Sequence, residues 1–423
     1  MLITSLLIAA LVAPDTTPPL SPAARRLLAD VRYLADSARE GRGVGTRGLD
    51  EAARYIADQF KRAGVAPGAP DRSYFQPFTI AADAPAVLHT KFGGAKTQNV
   101  VAVLAGSSPA LRRQVVVVGA HYDQLGYGGF GALDDPDSTG KVHDGADDNA
   151  SGIAALLEVA RQLRPRHPAR TIVFIAFSGE EIGDLGSAYF VKHPLVQPVE
   201  SIYAMVNMDM VGRLRNEHLL VLGAATAKEF SALLDSLNHA QRVPFDSLRA
   251  SGDGWGASDH ASFFAAKRPV LHFFTGLHED YHRTTDRVEK INAVGLGRVA
   301  ALVADVTWTL ANRAGALTFV DAAPPQMAMG GSGYGANLGT IPDMSESPGG
   351  VRLSGVRAGS PAQHAGLQAG DIITALGAKT VGNLFDMTEA LRSHQPGDTV
   401  VITVTRGEQA VHLNAVLGKR GGS

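Results

Sequence analysis

The sequence predicts an α/β protein: a mainly parallel twisted sheet with helices on both faces, followed by a small β-rich domain. Three observations predict it. Continuous apolar runs such as VVVVGAHYD (115–123) and TIVFIAFSGEE (171–181) lack the alternation of a half-exposed strand, so both faces must be covered. These runs alternate with helical segments such as Ser151 to Leu163, the order of βαβ units. Beyond residue 320 the pattern changes to DAAPPQMAMGGSGYGAN and then to short β-runs.

The elements follow in order. Residues 2–12 form an apolar run too short to span a bilayer but suited to a signal-peptide core, which marks 1–20 as an export signal. No Lys or Arg precedes Leu2, and Leu11 stands at −3 from a cleavage after Ala13, so a buried N-terminal helix or strand is the alternative. Residues 21–36 carry apolar positions at helical spacing, with Ser21 as N-cap and Pro22 at the first helical position. EGRGVGTRG (40–48) is a glycine-rich loop, and Leu49 to Ala63 is an amphipathic helix stopped by Gly64. Short strands occupy 73–106. The strand at 115–123 then leads through the Ser151–Leu163 helix to the strand at 171–181 and a helix at Ala188–His193. Strands SIYAMVNMDMVG (201–212) and HLLVLG (218–223), a helix over Ala227–Asn238, strand PVLHFFTG (269–276) and a closing helix over Ile291–Ala314 complete a domain of residues 21–320. Residues 321–336 read as a linker. Residues 337–418 read as a second domain, in which VRLSGV, DIITALG and TVVITVTRG accompany one helical segment, LFDMTEALRSH.

Composition narrows the chemistry. The 423 residues hold 39 Lys+Arg against 41 Asp+Glu, a formal net charge of −2 that gives no support for nucleic-acid binding. There is no cysteine, which removes disulfides, a thiol nucleophile, thiolate-bound zinc and iron–sulfur clusters. Any metal must sit on His, Asp and Glu. Apart from the export signal, no unbroken apolar run approaches the length of a membrane span, and no transmembrane anchor is expected.

The chemistry-bearing residues lie just past the central strands. His121 and Asp123 follow the first, and Asp147 and Asp148 start the next helix. Glu180 and Glu181 end the second strand, Asp209 ends the third, and His282 lies in the loop after PVLHFFTG. In a parallel sheet these ends face one cleft. So many carboxylates in one place repel each other unless a cation neutralises them, and two His with several Asp/Glu suit zinc or a similar ion. Adjacent Glu180 and Glu181 point in different directions, so one is able to bind metal while the other faces a metal-activated water. Taken alone, each such residue is an ordinary hydrogen-bonded surface group; it is the recurrence at successive strand ends that argues for a site.

HYD (121–123), HDGADDNASG (143–152), FSGEEIGDLGS (177–187), NMDMVG (207–212), SDHASF (258–263) and YHRTTD (281–286) resemble, in order, the co-catalytic zinc aminopeptidases of peptidase family M28, which include the Streptomyces and Vibrio secreted enzymes. The similarity covers residues 30 to 315 and extends to EGRGVGTRG and SYFQPF (73–78). It implies a zinc-exopeptidase fold and two zinc ions. Asp148 would bridge both ions, His121 and Asp209 would complete one, and Glu181 and His282 the other. Glu180 would be the general base, Tyr281 would stabilise an oxyanion, and Asp123 would hydrogen-bond His121. A cis peptide between Asp148 and Asn149 is also implied. Asp286 would either orient His282 or cap a helix. Asp147, Asp259 and His260 have no assigned role; His272 reads as a core residue. His143, Asp144 and LDDPDS (133–138) read as a solvated loop rather than a further ion site, since they lack regular calcium-ligand spacing.

Residues 335–418 resemble a PDZ domain of the bacterial protease-associated kind, on NLGTIPD (337–343), GVRAGSPAQHAGLQAGDIITALG (355–377) and VITVTRG (401–407). That resemblance implies capture of peptide C-termini by Leu338, Gly339 and Thr340, or a docking module without peptide affinity. The combined expectation is an exported di-zinc aminopeptidase acting on peptides with a free N-terminus. A carboxypeptidase or a glutaminyl cyclase of the same fold, or a PDZ-based interaction protein, are the rivals.

Overall fold

The structure is a computed structural model that describes residues 20–82, 91–134, 138–245, 247–252, 254–256, 258–321, 336–342, 349–382, 387, 390–391, 394–407 and 409–419. Residues 1–19 of the expected export signal, most of the expected linker, most of the expected LFDMTEALRSH helix and residues 135–137 of the acidic loop therefore lie outside the described residues.

The first domain opens with α1 (Pro22–Leu34), capped by Ser21, whose side chain accepts from the Ala24 amide at 3.1 Å. Helix α2 (Arg47–Arg62) is capped by Thr46 and buries Leu49, Ala52, Ala53, Ile56, Ala57 and Phe60 on one face. Then come β1 (Ala66–Pro67), β2 (Phe75–Thr79), β3 (Lys96–Leu104), β4 (Val115–His121), α3 (Gly152–Leu163), β5 (Thr171–Phe177), α4 (Leu185–Lys192), β6 (Ile202–Met208), β7 (His218–Leu222), α5 (Phe230–His239), β8 (Ser247–Ser251), α6 (His260–Ala265), β9 (Val270–Phe274) and α7 (Ala293–Asn312).

The sheet order is β1-β3-β5-β4-β6-β9-β7-β8, with β2 also paired to β3. The central strands β5, β4, β6 and β9 are parallel, as the apolar runs predict. The flanks are not: β3 pairs antiparallel with β5, and β7 antiparallel with β9. The parallel block is where two helical layers cover both faces. Val116, Val118 and Ala120 of β4 join α1, α2, α3 and α7 in one core, while Val115 and Val117 join Phe190 of α4 and Phe263 and Phe264 of α6 in another. Helix α7 is long and apolar enough to cross a membrane, but it lies against α1 and α3 in that first core.

The second domain contains β10 (Ala336–Asn337), β11 (Thr340–Pro342), β12 (Val351–Val356), α8 (Pro361–His364), β13 (Ile372–Leu376), β14 (Lys379–Thr380), β15 (Thr399–Arg406), β16 (Gln409–Val416) and β17 (Gly418–Lys419). Its main sheet runs β11-β12-β13-β15-β16, all antiparallel, over a core of its own that includes Leu353, Ile373, Leu376, Ile402 and Val404.

Candidate metal centre

Three strand ends and two loops build one cleft. His121 is the last residue of β4, Glu180 and Glu181 follow β5, and Asp209 follows β6. Asp148 lies in the turn Ala146–Ser151 before α3, where its backbone (φ −104, ψ 95) leaves helical geometry; the Asp148–Asn149 peptide is cis, as the resemblance implied. The Asp148 carboxylate stands between the two imidazoles, with Oδ1 3.4 Å from His121 Nε2 and Oδ2 3.3 Å from His282 Nε2. Around it, His121 Nε2 lies 3.3 Å from Asp209 and 3.9 Å from Glu180, and His282 Nε2 lies 3.0 Å from Glu181. Ligand atoms of His121, Asp148 and Glu181, and likewise of His121, Glu180 and Asp209, fall within 4.8 Å of one another. All five expected ligands and Glu180 thus converge.

The supporting bonds differ from the expected ones in two places. Asp123 does not bind His121 through its carboxylate, which is 3.8 Å from Nδ1; the closer partner is its main-chain carbonyl, at 3.3 Å. The Asp123 carboxylate crosses instead to the end of β5 and accepts the amides of Glu180 (3.2 Å) and Glu181 (3.3 Å). Asp286 does not orient His282, whose Nδ1 sits 3.0 Å from the Gly131 carbonyl. Nor is it an N-cap: Arg287 precedes the helical turn that follows, and the Asp286 carboxylate instead accepts the amides of Asp147 (2.9 Å) and Asp148 (3.0 Å) from across the fold. Each ring thus has Nδ1 against a carbonyl and Nε2 toward the carboxylates, the arrangement of metal-binding histidines.

Several supporting contacts were not legible in the motifs, even where the residues themselves lie in one. His278 meets Asp147 at 3.1 Å, and Asp147 in turn accepts from the Gly212 amide (2.6 Å) and the Ser151 hydroxyl (2.9 Å). Ser258 donates to Asp209 at 2.9 Å. The 133–138 loop is not merely solvated: Asp134 pairs with His143 at 2.7 Å and accepts the amide and hydroxyl of Thr284, which ties it to the His282 loop. Asp144 accepts from Ser37 and faces Arg287 at 3.0 Å. His260 and His272 stack at 4.4 Å, and burial lowers them to about 4 and about 3, neutral core residues both. Asp259 is buried beside them.

The electrostatics fit a cation. Burial opposes charge on both histidines, yet Asp209 and Glu180 hold His121 well above its ordinary value, and Glu181 and Asp148 hold His282 up at about 10. Burial, with Glu181, Asp184 and Asp209 adding to it, pushes Glu180 well up. Asp148 Oδ2 and Glu181 Oε1 are buried and accept no hydrogen bond. A divalent ion would use these oxygens and replace the imidazole protons as the counter-charge. Tyr281 stacks on His282 at 3.8 Å, and burial together with the nearby Asp148 and Glu181 keeps its hydroxyl protonated.

The PDZ-like loop is less open than expected. Leu338 is packed into the core, and the Gly339 amide already donates to Asn337 Oδ1 at 3.0 Å, so a ligand carboxylate would have to displace that side chain. Gly339 has φ 77, a left-handed position, and a Cβ there would lie 2.3 Å from Ser360. Thr340 opens the edge strand β11 and pairs with Val356.

Comparison with known proteins agrees with this architecture. Residues 99–307 match the family model of peptidase family M28, and residues 336–417 that of the PDZ domain. The aminopeptidase YwaD of Bacillus subtilis is 30% identical over 196 residues, 45% of this chain and 39% of that enzyme, so the match spans well under half of that relative. Among solved structures, BSAP, a zinc aminopeptidase from Bacillus subtilis, superposes with a TM-score of 0.54 at 18% identity, over 70% of this chain and 97% of that one. A glutaminyl cyclase from Bacteroides thetaiotaomicron gives 0.54 at 20% identity, over 67% and 97%. At such identities these likenesses speak for the fold. The chain carries a peptidase family M28 domain, residues 99–307, followed by a PDZ domain, residues 336–417.

Proposed function

We propose that the protein is an exported, zinc-dependent aminopeptidase that hydrolyses peptides from a free N-terminus. The observation that carries this reading is Asp148 set between two imidazoles, each with its own further carboxylate. His121, Asp209 and Asp148 would hold one zinc ion; His282, Glu181 and the same Asp148 would hold a second. Bound zinc supplies charge that lowers the pKa of a water toward about 7 and polarises the scissile carbonyl.

The remaining work falls to the chain. Glu180 is partly buried, lies 3.9 Å from His121 and has its pKa raised, the properties of a base that would take a proton from water at its carboxylate oxygen and later give it to the leaving amide nitrogen. Tyr281, kept protonated and stacked on His282, would donate to an oxyanion. Glu180 and Asp209 also present negative charge to a substrate's α-ammonium, which makes a free N-terminus part of recognition. Export rests on the apolar run of residues 2–12, and peptides are the class of partner that both domains suggest.

The test is hydrolysis of leucine anilide beside its N-acetylated form, with zinc present. Cleavage of the free amine alone supports the reading. Cleavage of both forms removes the role of the ammonium. Cyclisation of an N-terminal glutamine without anilide hydrolysis moves the protein to the glutaminyl cyclase reading.

A further inference from the structure

One buried charge has no part in the mechanism above. Arg42 is wholly buried, at 0% exposure, beside the metal centre. Its backbone is left-handed (φ 46), as are Glu40 (φ 52) and Gly41 (φ 56), and a side chain on Gly41 would collide with the carbonyls of Gly126 (2.5 Å) and His143 (2.6 Å). Three left-handed residues in a row, two of them not glycine, are uncommon, and such strain gathers where function fixes the backbone. The turn aims the guanidinium inward.

That guanidinium binds no ligand atom. Its Nε donates to the Tyr122 carbonyl at 2.8 Å, Nη1 to those of Leu34 and Asp144 at 2.7 Å each, and Nη2 to that of Gly145 at 2.8 Å. Tyr122 follows His121, and Gly145 begins the turn that carries Asp148. The main chain adds to the clasp: the Gln124 amide donates to the Arg42 carbonyl (3.2 Å) and the Gly126 amide to that of Gly41 (3.1 Å). The positive charge faces Asp148, Asp123, Asp144 and Asp286. A planar fork with several fixed donors meets these carbonyls as a lysine ammonium does not.

We infer that Arg42 is a positioning residue that sets the metal affinity of the site, by locking the His121 and Asp148 loops in register and balancing their acids before a cation arrives. The inference rests on the zinc-centre reading above. The opposite effect is also physically available. If the guanidinium acted on zinc mainly through its charge, it would repel the ion, and its removal would tighten binding. Arg170 supplies a control. It is also buried and fork-bonded, to Gln114 and the Leu310 and Arg313 carbonyls, but it serves the end of α7.

The experiment strips the full chain with a chelator and measures zinc affinity by competition with a chromophoric chelator. Thermal unfolding is recorded for the metal-free and zinc-loaded forms. Arg42→Lys is expected to bind zinc about 10–100-fold more weakly than the parent, the range for partners that orient metal ligands. The zinc-induced rise in Tm should shrink accordingly, while Arg170→Lys lowers Tm and leaves zinc affinity unchanged. Should Arg42→Lys not fold, Gly41→Ala shifts the same loop with the guanidinium kept, and the same weakening is expected. Unchanged or tighter zinc binding in the folded variant overturns the inference and leaves the zinc centre standing. A parent chain that takes up no zinc overturns both.

Discussion

Glu180 and Glu181 are adjacent, and their amides share one acceptor, the Asp123 carboxylate, yet the two side chains part. Glu181 meets His282 at 3.0 Å, and Glu180 comes within 3.9 Å of His121. A single shared anchor therefore holds the two side chains apart, one toward each imidazole, as the proposed ligand and base roles require. Replacing Glu180 by Gln keeps shape and removes basicity. Hydrolysis is expected to fall by about 10²–10⁴-fold, with zinc content by elemental analysis unchanged. Turnover near the parent level would take the base role from Glu180.

At the scale of elements, the site depends on loops pressed against one another more tightly than side chains allow. Gly48, in the first turn of α2, shows this. A Cβ there would stand 1.8 Å from the Arg39 carbonyl, and the Gly48 amide donates to Glu40 at 2.8 Å. In an open helix Gly→Ala stabilises by roughly 0.5–1 kcal/mol. Here the clash reverses the sign, and Gly48→Ala is expected to destabilise by about 1–3 kcal/mol. A lowered Tm in thermal unfolding fits this, whereas a raised Tm would mean that the 37–42 turn yields freely. The same turn positions Arg42, so helix packing and metal loops are coupled through it.

For the whole molecule, the two domains have separate cores with no residue in common. Deleting residues 321–423 is expected to leave anilide hydrolysis within about twofold, since every group placed in the cleft lies before Asp321. A collapse of turnover in a folded truncation would show that the PDZ domain completes the site. The PDZ domain carries its own acid-sensitive link. Burial raises Asp371, but the forked bonds from Arg406 at 2.7 and 2.8 Å, with the Gln368 amide, outweigh it and hold the carboxyl below its usual range. A folded-state pKa below the unfolded value of about 3.9 contributes stability above that pH and loses it as pH falls through the folded value. Asp371→Asn should therefore lower the Tm of this domain at pH 7, with the gap to the parent closing below about pH 4. A gap independent of pH would point to packing instead.

The sequence by itself determined the parallel centre of the sheet, because strands buried on both faces have to be apolar throughout. It also pointed to the candidate ligands, because carboxylates and imidazoles gathered at successive strand ends repel or titrate one another unless a cation balances them. The antiparallel flanks were not legible, since β3 and β7 have the same local character in either direction. Only the tertiary structure decided who supports the ligands. Asp286 reaches the Asp147 amide across 139 residues, His278 reaches Asp147 across 131, and Arg42 reaches Tyr122 across 80. Most of these bonds have a main-chain partner, which any residue type provides. No local pattern records them, and they exist because packed loops bring a carbonyl or an amide within reach of one buried polar group.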